Sequence, residues 1–470
     1  MKENPLNQDT ICSISTPPGP GGIGIIRISG SQALPLAQKI FVDSSGRALR
    51  KSRGYTIRYG KVIDPETRTV LDEVLLTVMR APKTYTCEDV VEINCHSGVV
   101  VIRRIMELLL SLGARPAEPG EFTKRAFLNG RIDLAQAESV MSLVSAKNET
   151  ALRVALQQLN GELSLCLQKV KESLIELLAE TEVSIDFAEE ENDPIDSVAF
   201  EGKINSLLKN LGSLIDTGRE GKVIEEGLMT AIIGKANVGK SSLLNRLLKE
   251  DRAIVTPFPG TTRDVIESTV NIEGIPFCFL DTAGFRQSED PVEREGIRRS
   301  REAIERADLI LLLFDLSRRP DEEDREIVRL TRGKDVVLIF NKKDLVPDEN
   351  RGNQFFGELI KEISPKIMIH TCLLHADGIK ELKVRLKDLI LEGKKAFSES
   401  VIVTQTRHLH ALKEAREALM RVIRHLHEGM SEEFLSLDLR EALDAVGRIT
   451  GEVVTEDILD RIFSSFCVGK

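Results

Sequence analysis

The chain has 470 residues, of which 41% are hydrophobic and 29% are charged, and its formal net charge is −10. This length suggests about three domains of roughly 150 residues each. The negative charge argues against a surface coated for nucleic-acid binding, and the scarcity of aromatic residues, with no tryptophan, argues against an extensive base-stacking platform. The N-terminus has no apolar signal segment, and the longest apolar run, residues 309–314, is far shorter than the ~20 residues that span a bilayer. We therefore expect a cytoplasmic protein without membrane contact.

Cysteine and histidine spacing does not favour a metal site. The seven cysteines are scattered and form no Cys-x-x-Cys pair, which is typical of free thiols in a reducing compartment. Two pairs of histidines have two-residue spacing, which on a helix directs the side chains to different faces. We therefore predict ordinary surface histidines at His408, His410, His425 and His427.

The distribution of apolar residues, glycine and proline along the chain predicts a multidomain protein with α/β and α parts. Residues 1–120 mix short β-rich runs with Pro/Gly turns, which indicates an N-terminal α+β domain. Residues 121–222 and 392–470 carry leucine and alanine at helical spacing. Residues 223–391 alternate apolar strands with charged helices, so the simplest architecture inserts an α/β domain into a discontinuous helical domain. The candidate strands of the inserted domain are residues 229–233, 277–281, 309–315, 336–341 and 366–371.

A phosphate-binding loop opens the inserted domain. Residues 234–241 read Gly-Lys-Ala-Asn-Val-Gly-Lys-Ser and match G-x-x-x-x-G-K-[ST] between a predicted strand and a predicted helix. Its glycines let backbone N–H groups surround phosphates, and the helix N-terminus adds a favourable dipole. Lys240 is expected to reach the β- and γ-phosphates, and the Ser241 hydroxyl to ligate Mg²⁺.

Three further motifs follow in the order expected of a GTPase. Thr262 is placed to complete the Mg²⁺ shell, and Asp281 starts Asp-Thr-Ala-Gly at the end of an apolar strand. Asp344 ends Asn-Lys-Lys-Asp and can accept hydrogen bonds from N1–H and the N2 amino group of guanine, which adenine does not offer in that arrangement. The predicted nucleotide is therefore GTP. The candidate GTP-binding residues are Asn237, Val238, Gly239, Lys240, Ser241, Ser242, Thr256, Pro257, Phe258, Pro259, Gly260, Thr261, Thr262, Asp281, Thr282, Ala283, Gly284, Asn341, Lys342 and Asp344.

The hydrolytic machinery differs from that of many small GTPases. Phe285 stands where a glutamine often orients the attacking water, and phenylalanine cannot hydrogen-bond water. Asn237 could hold a monovalent cation through its side-chain oxygen. Glu293 is a candidate acid or base, although its position in the charged run 289–299 favours a solvated carboxylate when the sequence is taken alone.

The fifth guanine-site motif is degenerate. Cys372-Leu373-Leu374 stands where Ser-Ala-Lys or Ser-Ala-Leu is common. Because the usual contact uses a backbone N–H, the change of side chains is tolerable.

Several segments resemble one family closely. They are Arg-Ile-Ser-Gly at 27–30, Pro-Gly-Glu-Phe-Thr-Lys-Arg-Ala-Phe-Leu-Asn-Gly-Arg at 119–131, and Phe-Ser-Ser-Phe-Cys-Val-Gly-Lys at 463–470. With the nucleotide motifs, they make the chain similar to the tRNA-modification GTPase family MnmE, also called TrmE. The resemblance covers nearly the whole length. It implies a Ras-like P-loop GTPase domain inserted in the helical domain, and homodimerisation through N-terminal domains that bind a tetrahydrofolate one-carbon derivative.

The resemblance also implies roles for particular residues. Cys467 matches a position where a thiol role has been considered, although a packed thiol suits it equally. K⁺ would take the place of an arginine finger, and Glu293 would activate water, so that the catalytic residues would be Glu293, Asn237 and Lys240. The implied K⁺ ligands are Asn237, Thr256, Phe258 and Thr261. The implied folate contacts are Arg27, Glu92, Arg131 and Lys470.

The implied reaction installs an aminomethyl or carboxymethylaminomethyl group at carbon 5 of the wobble uridine of certain tRNAs. An FAD-binding partner, MnmG (GidA), would join the homodimer in a heterotetramer or larger complex, so FAD would belong to the partner. A ribosome-assembly GTPase is the alternative, but no KH-like G-x-x-G loop follows residue 391. A membrane-remodelling GTPase is a lesser alternative, because no basic amphipathic or lipid-anchoring segment is evident.

Overall fold

The computed structural model describes residues 9–17, 19, 21–47, 54–146, 148–186, 196–250, 268–280, 301–346, 351–390 and 401–469. The chain forms two compact units. The first comprises Met1–Met141, Gln158–Lys171 and Leu443–Lys470, and the second comprises Ser142–Gln157 and Glu172–Ala442. Among the described helices, none combines the length and the apolar character needed to cross a membrane.

A seven-stranded sheet forms the centre of the first unit. Its strands are β1 (Ile11–Ile14), β2 (Gly24–Ser29), β3 (Phe41–Asp43), β4 (Thr56–Ile63), β5 (Val70–Met79), β6 (Val90–Cys95) and β7 (Arg115–Pro116). They lie in the order β3-β4-β5-β6-β2-β1-β7, with β1 and β7 parallel and all other neighbours antiparallel. Strands β4 and β5 alternate buried and exposed residues along much of their length, which gives a weaker apolar signal than a continuously buried strand.

One face of this sheet is covered by helices and the other carries polar side chains. Helices Ala33–Ile40 and Val99–Ser111 pack their apolar residues against Ile26, Ile28 and Ile93 of the sheet. Arg27 and Glu92 project from the opposite face, where β2 and β6 place them directly across from each other. The remaining helices that begin before the inserted domain are Glu121–Leu128, Leu134–Ser145, Glu149–Leu159, Glu162–Asp186, Ser197–Asp216 and Gly218–Glu226.

A six-stranded sheet lies in the second unit. Its strands are β8 (Leu228–Ile233), β9 (Ser268–Ile272), β10 (Ile275–Phe279), β11 (Leu309–Asp315), β12 (Asp335–Asn341) and β13 (Ile367–His370). The order is β13-β12-β11-β8-β10-β9, and all neighbours are parallel except β9 and β10. The five predicted strands are confirmed within two residues at each end. Central parallel strands such as β11 are buried on both faces and form continuous apolar runs, which makes them easy to predict. Strand β9 was missed, since it alternates polar and apolar residues.

Helices cover both faces of the second sheet. Lys240–Glu250 and Ile379–Ile390 share one core with it, and Glu322–Leu330, Arg351–Ile363 and residues 301–306 share the other. In chain order, helices precede and follow this parallel α/β sheet, as the residue pattern predicted. The helices that follow it are Thr406–His427, Glu432–Thr450 and Glu456–Ser464.

The histidine prediction is only partly right. The side chains of His410 and His427 are exposed, but His408 is completely buried and His425 is mostly covered. His408 lies four residues before Leu412 and therefore shares the buried face of helix Thr406–His427.

Candidate functional site

The phosphate-loop motif connects β8 to the helix that begins at Lys240. Gly234 and Gly239 have φ angles of 147° and 111°, in the region that favours glycine. A Cβ on Gly234 would lie 2.6 Å from Leu313 O, and one on Gly239 would overlap Asn341 Nδ2. Asn237 has φ 61°, which asparagine tolerates better than most residues. The loop therefore requires these glycines for its conformation and for the close approach of neighbouring strands.

Lys240 is folded back over the loop. Its Nζ donates to Gly234 O and to Lys235 O, each at 2.6 Å. Burial lowers the pKa of the Lys240 ammonium. Val238 is buried, whereas Asn237, Ser241 and Ser242 are exposed. The loop thus presents its polar side chains and the start of a helix to solvent, which is the arrangement that binds phosphate.

Lys235 ties the back of the loop to another helix, a contact that sequence reasoning missed. Its Nζ lies 2.5 Å from Asp321 Oδ2 and 2.9 Å from Glu323 Oε2. Asp321 is also the N-cap of helix Glu322–Leu330, and the hydrogen bond from Lys235 lowers the pKa of its carboxyl group. Because position 235 is variable in the motif, its spacing carries no signal of this contact.

Asn341 joins three parts of the site. It is buried at the end of β12, and its Nδ2 donates to Val238 O of the phosphate loop at 2.8 Å. Its Oδ1 accepts from Leu373 N at 3.2 Å and from Thr371 Oγ1 at 3.3 Å. The predicted base-binding segment and the degenerate fifth motif are therefore brought together beside the phosphate loop.

The rest of the Asn-Lys-Lys-Asp motif contains one lysine that is paired, Lys342, and one carboxylate that is exposed, Asp344. Lys342 Nζ lies 2.6 Å from Asp315 Oδ2. Burial would raise the pKa of Asp315, but hydrogen bonds from Lys342 and Ser317 outweigh it and hold the pKa below its usual value. Asp344 is exposed, and within the described part of the chain it pairs with no cation. An exposed, unpaired carboxylate at this edge is available to a ligand.

Many predicted nucleotide and ion contacts fall outside the described residues. Of the implied Mg²⁺ and K⁺ ligands, only Ser241 and Asn237 are described. The predicted site residues outside the described ranges are Thr256, Pro257, Phe258, Pro259, Gly260, Thr261, Thr262, Asp281, Thr282, Ala283, Gly284, Glu293 and Lys470.

A second polar cluster lies in the first unit around Tyr85. Arg27 Nε donates to Glu92 Oε1 at 2.8 Å. The guanidinium carbons of Arg27 and Arg131 lie 5.9 Å and 4.8 Å from the centroid of the Tyr85 ring, and Arg131 Nη1 donates to Tyr85 O at 2.9 Å. Three of the four residues predicted to contact folate are thus brought together, with an aromatic ring that sequence reasoning did not include.

The C-terminal tail reaches the same cluster. Arg27 Nη1 and Ser15 Oγ both donate to Gly469 O at 3.4 Å, and Val468 forms an antiparallel bridge with Pro119. Cys467 is exposed. The residue before Lys470 therefore touches Arg27, so the implied grouping of the C-terminus with Arg27 has a structural basis.

A buried ionic network supports the Tyr85 segment from behind. The guanidinium of Arg125, 3% exposed, lies 2.6 Å from Asp9 Oδ1, 3.1 Å from Glu88 Oε1 and 3.0 Å from Glu121 Oε1. Asn129 Nδ2, just after the same helix, donates to Thr86 O at 2.6 Å. Helix Glu121–Leu128 thus fixes the strand connection that carries Tyr85.

The glycine-dependent phosphate loop, the parallel sheet order and the Asn-Lys-x-Asp segment at the end of β12 together define a P-loop GTP-binding protein. Two family models match the chain, "MnmE helical domain" over residues 134–467 and "GTP-binding protein TrmE N-terminus" over residues 10–131. The chain belongs to the family of the tRNA modification GTPase MnmE.

Relatives match over almost the full length. The tRNA modification GTPase MnmE of Alkaliphilus oremlandii (strain OhILAs) is 47% identical over 465 residues, which cover 98% of this chain and 99% of the relative. That of Ligilactobacillus salivarius (strain UCC118) is 45% identical over 468 residues, or 99% of each chain. A crystal structure of Era in complex with MgGDPNP and 16S ribosomal RNA nucleotides is 28% identical, covers 40% of this chain and 65% of that chain, and has a TM-score of 0.27. The full-length matches favour the hypothesis of a tRNA-modification GTPase over that of a ribosome-assembly GTPase.

Proposed function

We propose that this chain hydrolyses GTP and, with an FAD-binding partner of the MnmG (GidA) type, adds an aminomethyl or carboxymethylaminomethyl group to carbon 5 of the wobble uridine of certain tRNAs. The observation that carries this proposal is the convergence of the phosphate loop, Asn341 and the Leu373 segment in a chain whose relatives are named tRNA modification GTPases. We propose that the protein acts in the cytoplasm. The proposed domains are residues 1–120, 121–222, 223–391 and 392–470.

The phosphate loop would bind and orient the triphosphate. Lys240 would exchange its hydrogen bonds to the two loop carbonyls for hydrogen bonds to phosphate oxygens. The helix N-terminus would add backbone N–H donors. Ser241 is exposed in the first helical turn, which suits a hydroxyl ligand of Mg²⁺, and Thr262 would be its partner. A bound Mg²⁺ would neutralise phosphate charge.

Potassium would supply the positive charge that an arginine finger supplies elsewhere. The Asn237 side chain is exposed in the loop, and its amide oxygen suits a monovalent cation; Thr256, Phe258 and Thr261 would be the other ligands. Glu293 would orient the attacking water, since Phe285 cannot.

GTP hydrolysis is expected to be at least about tenfold faster in KCl than in NaCl of equal ionic strength, because the cation acts on developing phosphate charge. Phosphate release measures the two rates. Asn237→Ala should remove the difference, whereas Lys249→Ala, on the exposed side of the following helix, should preserve it. Equal rates of the wild-type protein in the two salts would rule out the cation mechanism.

Asp344→Asn is expected to weaken GTP binding by at least about tenfold and to improve xanthosine triphosphate binding. The carboxylate accepts from the guanine N1–H and N2 amino groups, whereas an asparagine amide can donate to the xanthine 2-oxo group. Competition against a fluorescent nucleotide gives both affinities. Asp388→Asn makes the same change on an exposed helix position and should alter neither. Unchanged GTP affinity in the Asp344 variant would contradict the proposed role of Asp344 in guanine recognition.

The Tyr85 cluster would hold the tetrahydrofolate one-carbon derivative. Arg27, Arg131 and Lys470 offer cations for the glutamate carboxylates, and Glu92 offers an acceptor for pterin N–H groups. The contacts of Arg27 with Glu92 and of Arg131 with Tyr85 support this assignment. Cys467 would lie in the same tail, either as a reacting thiol or as a packed one.

Deleting Lys470 is expected to abolish tRNA modification and to leave GTP hydrolysis nearly intact, since the tail and the phosphate loop belong to different compact units. Nucleoside mass spectrometry of complemented cells and phosphate release by the purified variant measure the two. Lys470→Arg, which keeps the cation, should retain modification. Loss of both activities on deletion would remove the assigned role of the tail.

Homodimerisation is proposed through the N-terminal domain. Ile57 and Tyr59 on β4 and Leu75 on β5 are 68%, 55% and 46% exposed, and Tyr59 pairs directly with Leu75. This exposed apolar strip on β4 and β5 is a suitable surface for a second copy. The MnmG-type partner would complete a heterotetramer or larger complex.

A further inference from the structure

The segment after β13 forms a tight turn beside the phosphate loop. Cys372 and Asp377 exchange two backbone hydrogen bonds of 3.1 Å, and His375 N donates to Cys372 O at 3.2 Å. Leu373 and Leu374 are therefore the central residues of a β-turn. Leu373 is buried and so close to the loop that a Cβ on Gly239 would lie 3.0 Å from its Cδ1, whereas Leu374 is exposed.

Arg246 holds both central residues of this turn. It lies on helix Lys240–Glu250, which begins at the phosphate loop. Its Nε donates to Leu373 O at 3.2 Å and its Nη2 donates to Leu374 O at 2.7 Å. A planar guanidinium can make this two-point contact, whereas an ammonium group has no comparable fork.

The contact determines which way the central peptide of the turn faces. In a trans peptide the C=O and the N–H point in opposite directions. Because Arg246 holds Leu373 O, the N–H of Leu374 points away from Arg246, and among the described residues it donates to no acceptor. The N–H of Leu373 donates to Asn341 Oδ1, beside the predicted base-binding segment.

We propose that Arg246 is a positioning residue for guanine recognition, which holds the turn so that the N–H of Leu374 faces O6 of the base. This inference rests on the proposed GTP binding. Guanine has the acceptor O6 where adenine has the N6 amino donor, so a backbone N–H donor fixed there favours guanine. The side chains of Cys372, Leu373 and Leu374 offer no strong donor of their own, so recognition depends on the orientation of the Leu373–Leu374 peptide group that Arg246 fixes.

The test compares GDP with 6-thio-GDP, which replaces O6 by a weakly accepting sulfur and keeps N1–H and the N2 amino group. Competition against a fluorescent GDP analogue gives the ratio of the two dissociation constants. The wild-type ratio is expected to be about five- to tenfold, the value of one hydrogen bond. In Arg246→Ala it should fall below about twofold, because the N–H of Leu374 is no longer held toward position 6.

Two further variants make the result decisive. Lys249→Ala removes a cation from an exposed position of the same helix and should keep the wild-type ratio. Arg246→Lys can reach one carbonyl and should give an intermediate ratio; it also decides the matter if the alanine variant does not fold, since a wild-type ratio in it would then overturn the proposal. A wild-type ratio in Arg246→Ala, even with weaker GDP binding, would likewise overturn it and leave the proposed function standing. Failure of the wild-type protein to bind GDP would instead overturn the proposed function, and this inference with it.

Discussion

Lys240→Met is expected to lower the rate of GTP hydrolysis by about 10²–10³-fold, the usual effect of removing one donor from a site of developing charge. Methionine fills a similar volume but has no N–H groups. The ammonium of Lys240 already lies over the loop, held by Gly234 O and Lys235 O at 2.6 Å. Its partly desolvated position makes its interaction with phosphate oxygens stronger than in water.

Single-turnover phosphate release at saturating protein measures this effect apart from weaker binding. Lys249→Met carries the same change at an exposed position of the same helix and should hydrolyse GTP at the wild-type rate. A Lys240→Met protein within about threefold of the wild-type rate would be incompatible with phosphate stabilisation by this residue.

Arg125→Ala is expected to destabilise the first unit by about 3–5 kcal/mol, the usual cost of removing one partner from a buried ion pair. The change leaves Asp9, Glu88 and Glu121 without the guanidinium that all three contact. Arg115 still reaches Asp9 and Glu121, so Glu88 loses the most. Hydrogen exchange of the amides of β1 and β2 reports the stability of this part of the chain.

The effect should depend on pH. Burial opposes the charged forms of Asp9 and Glu121, but hydrogen bonds from Arg115 and Arg125 outweigh it and lower the pKa of both carboxyl groups. A carboxyl group with a lowered pKa stabilises the fold above its unfolded pKa and loses that contribution as the pH falls through its folded pKa. The difference in stability between the wild-type protein and Arg125→Ala should therefore have its full size at pH 7 and become smaller below about pH 4.

Arg103→Ala is the matched control for this prediction. Arg103 lies 3.7 Å from Glu107 on an exposed helix face, where an ion pair contributes about 0.5 kcal/mol or less. An Arg125→Ala protein that behaves like Arg103→Ala, with no loss of protection in β1 and β2, would show that the network does not stabilise this unit.

Much of the fold and of the nucleotide loop could be predicted from the sequence because both depend on local patterns. Strand β11 is a run of seven buried residues, and Gly234 and Gly239 occupy positions that no larger side chain fits. His408 was misassigned because a polar residue on the buried face of a helix does not differ, in spacing alone, from one on the exposed face.

The residues that support the sites could not be predicted in the same way. Arg125 contacts Asp9 across 116 positions of the chain, and Arg246 contacts Leu374 across 128. Such pairs have no characteristic spacing, and a lone arginine on a predicted helix is usually a solvated surface charge. Lys235 was overlooked for the same reason, although it lies inside a recognised motif. Tertiary contacts, not local pattern, give these three side chains their roles.

Nucleoside mass spectrometry of bulk tRNA is the direct test of the proposed tRNA modification. Cells that lack the gene would be complemented with the wild-type chain, with Lys240→Met or with Lys249→Met. We expect 5-aminomethyl or 5-carboxymethylaminomethyl wobble uridines to disappear with the gene and to return with the wild-type and Lys249→Met chains, but not with Lys240→Met. Persistence of these nucleosides in cells without the gene would contradict the proposed function and leave a GTPase whose purpose lies elsewhere.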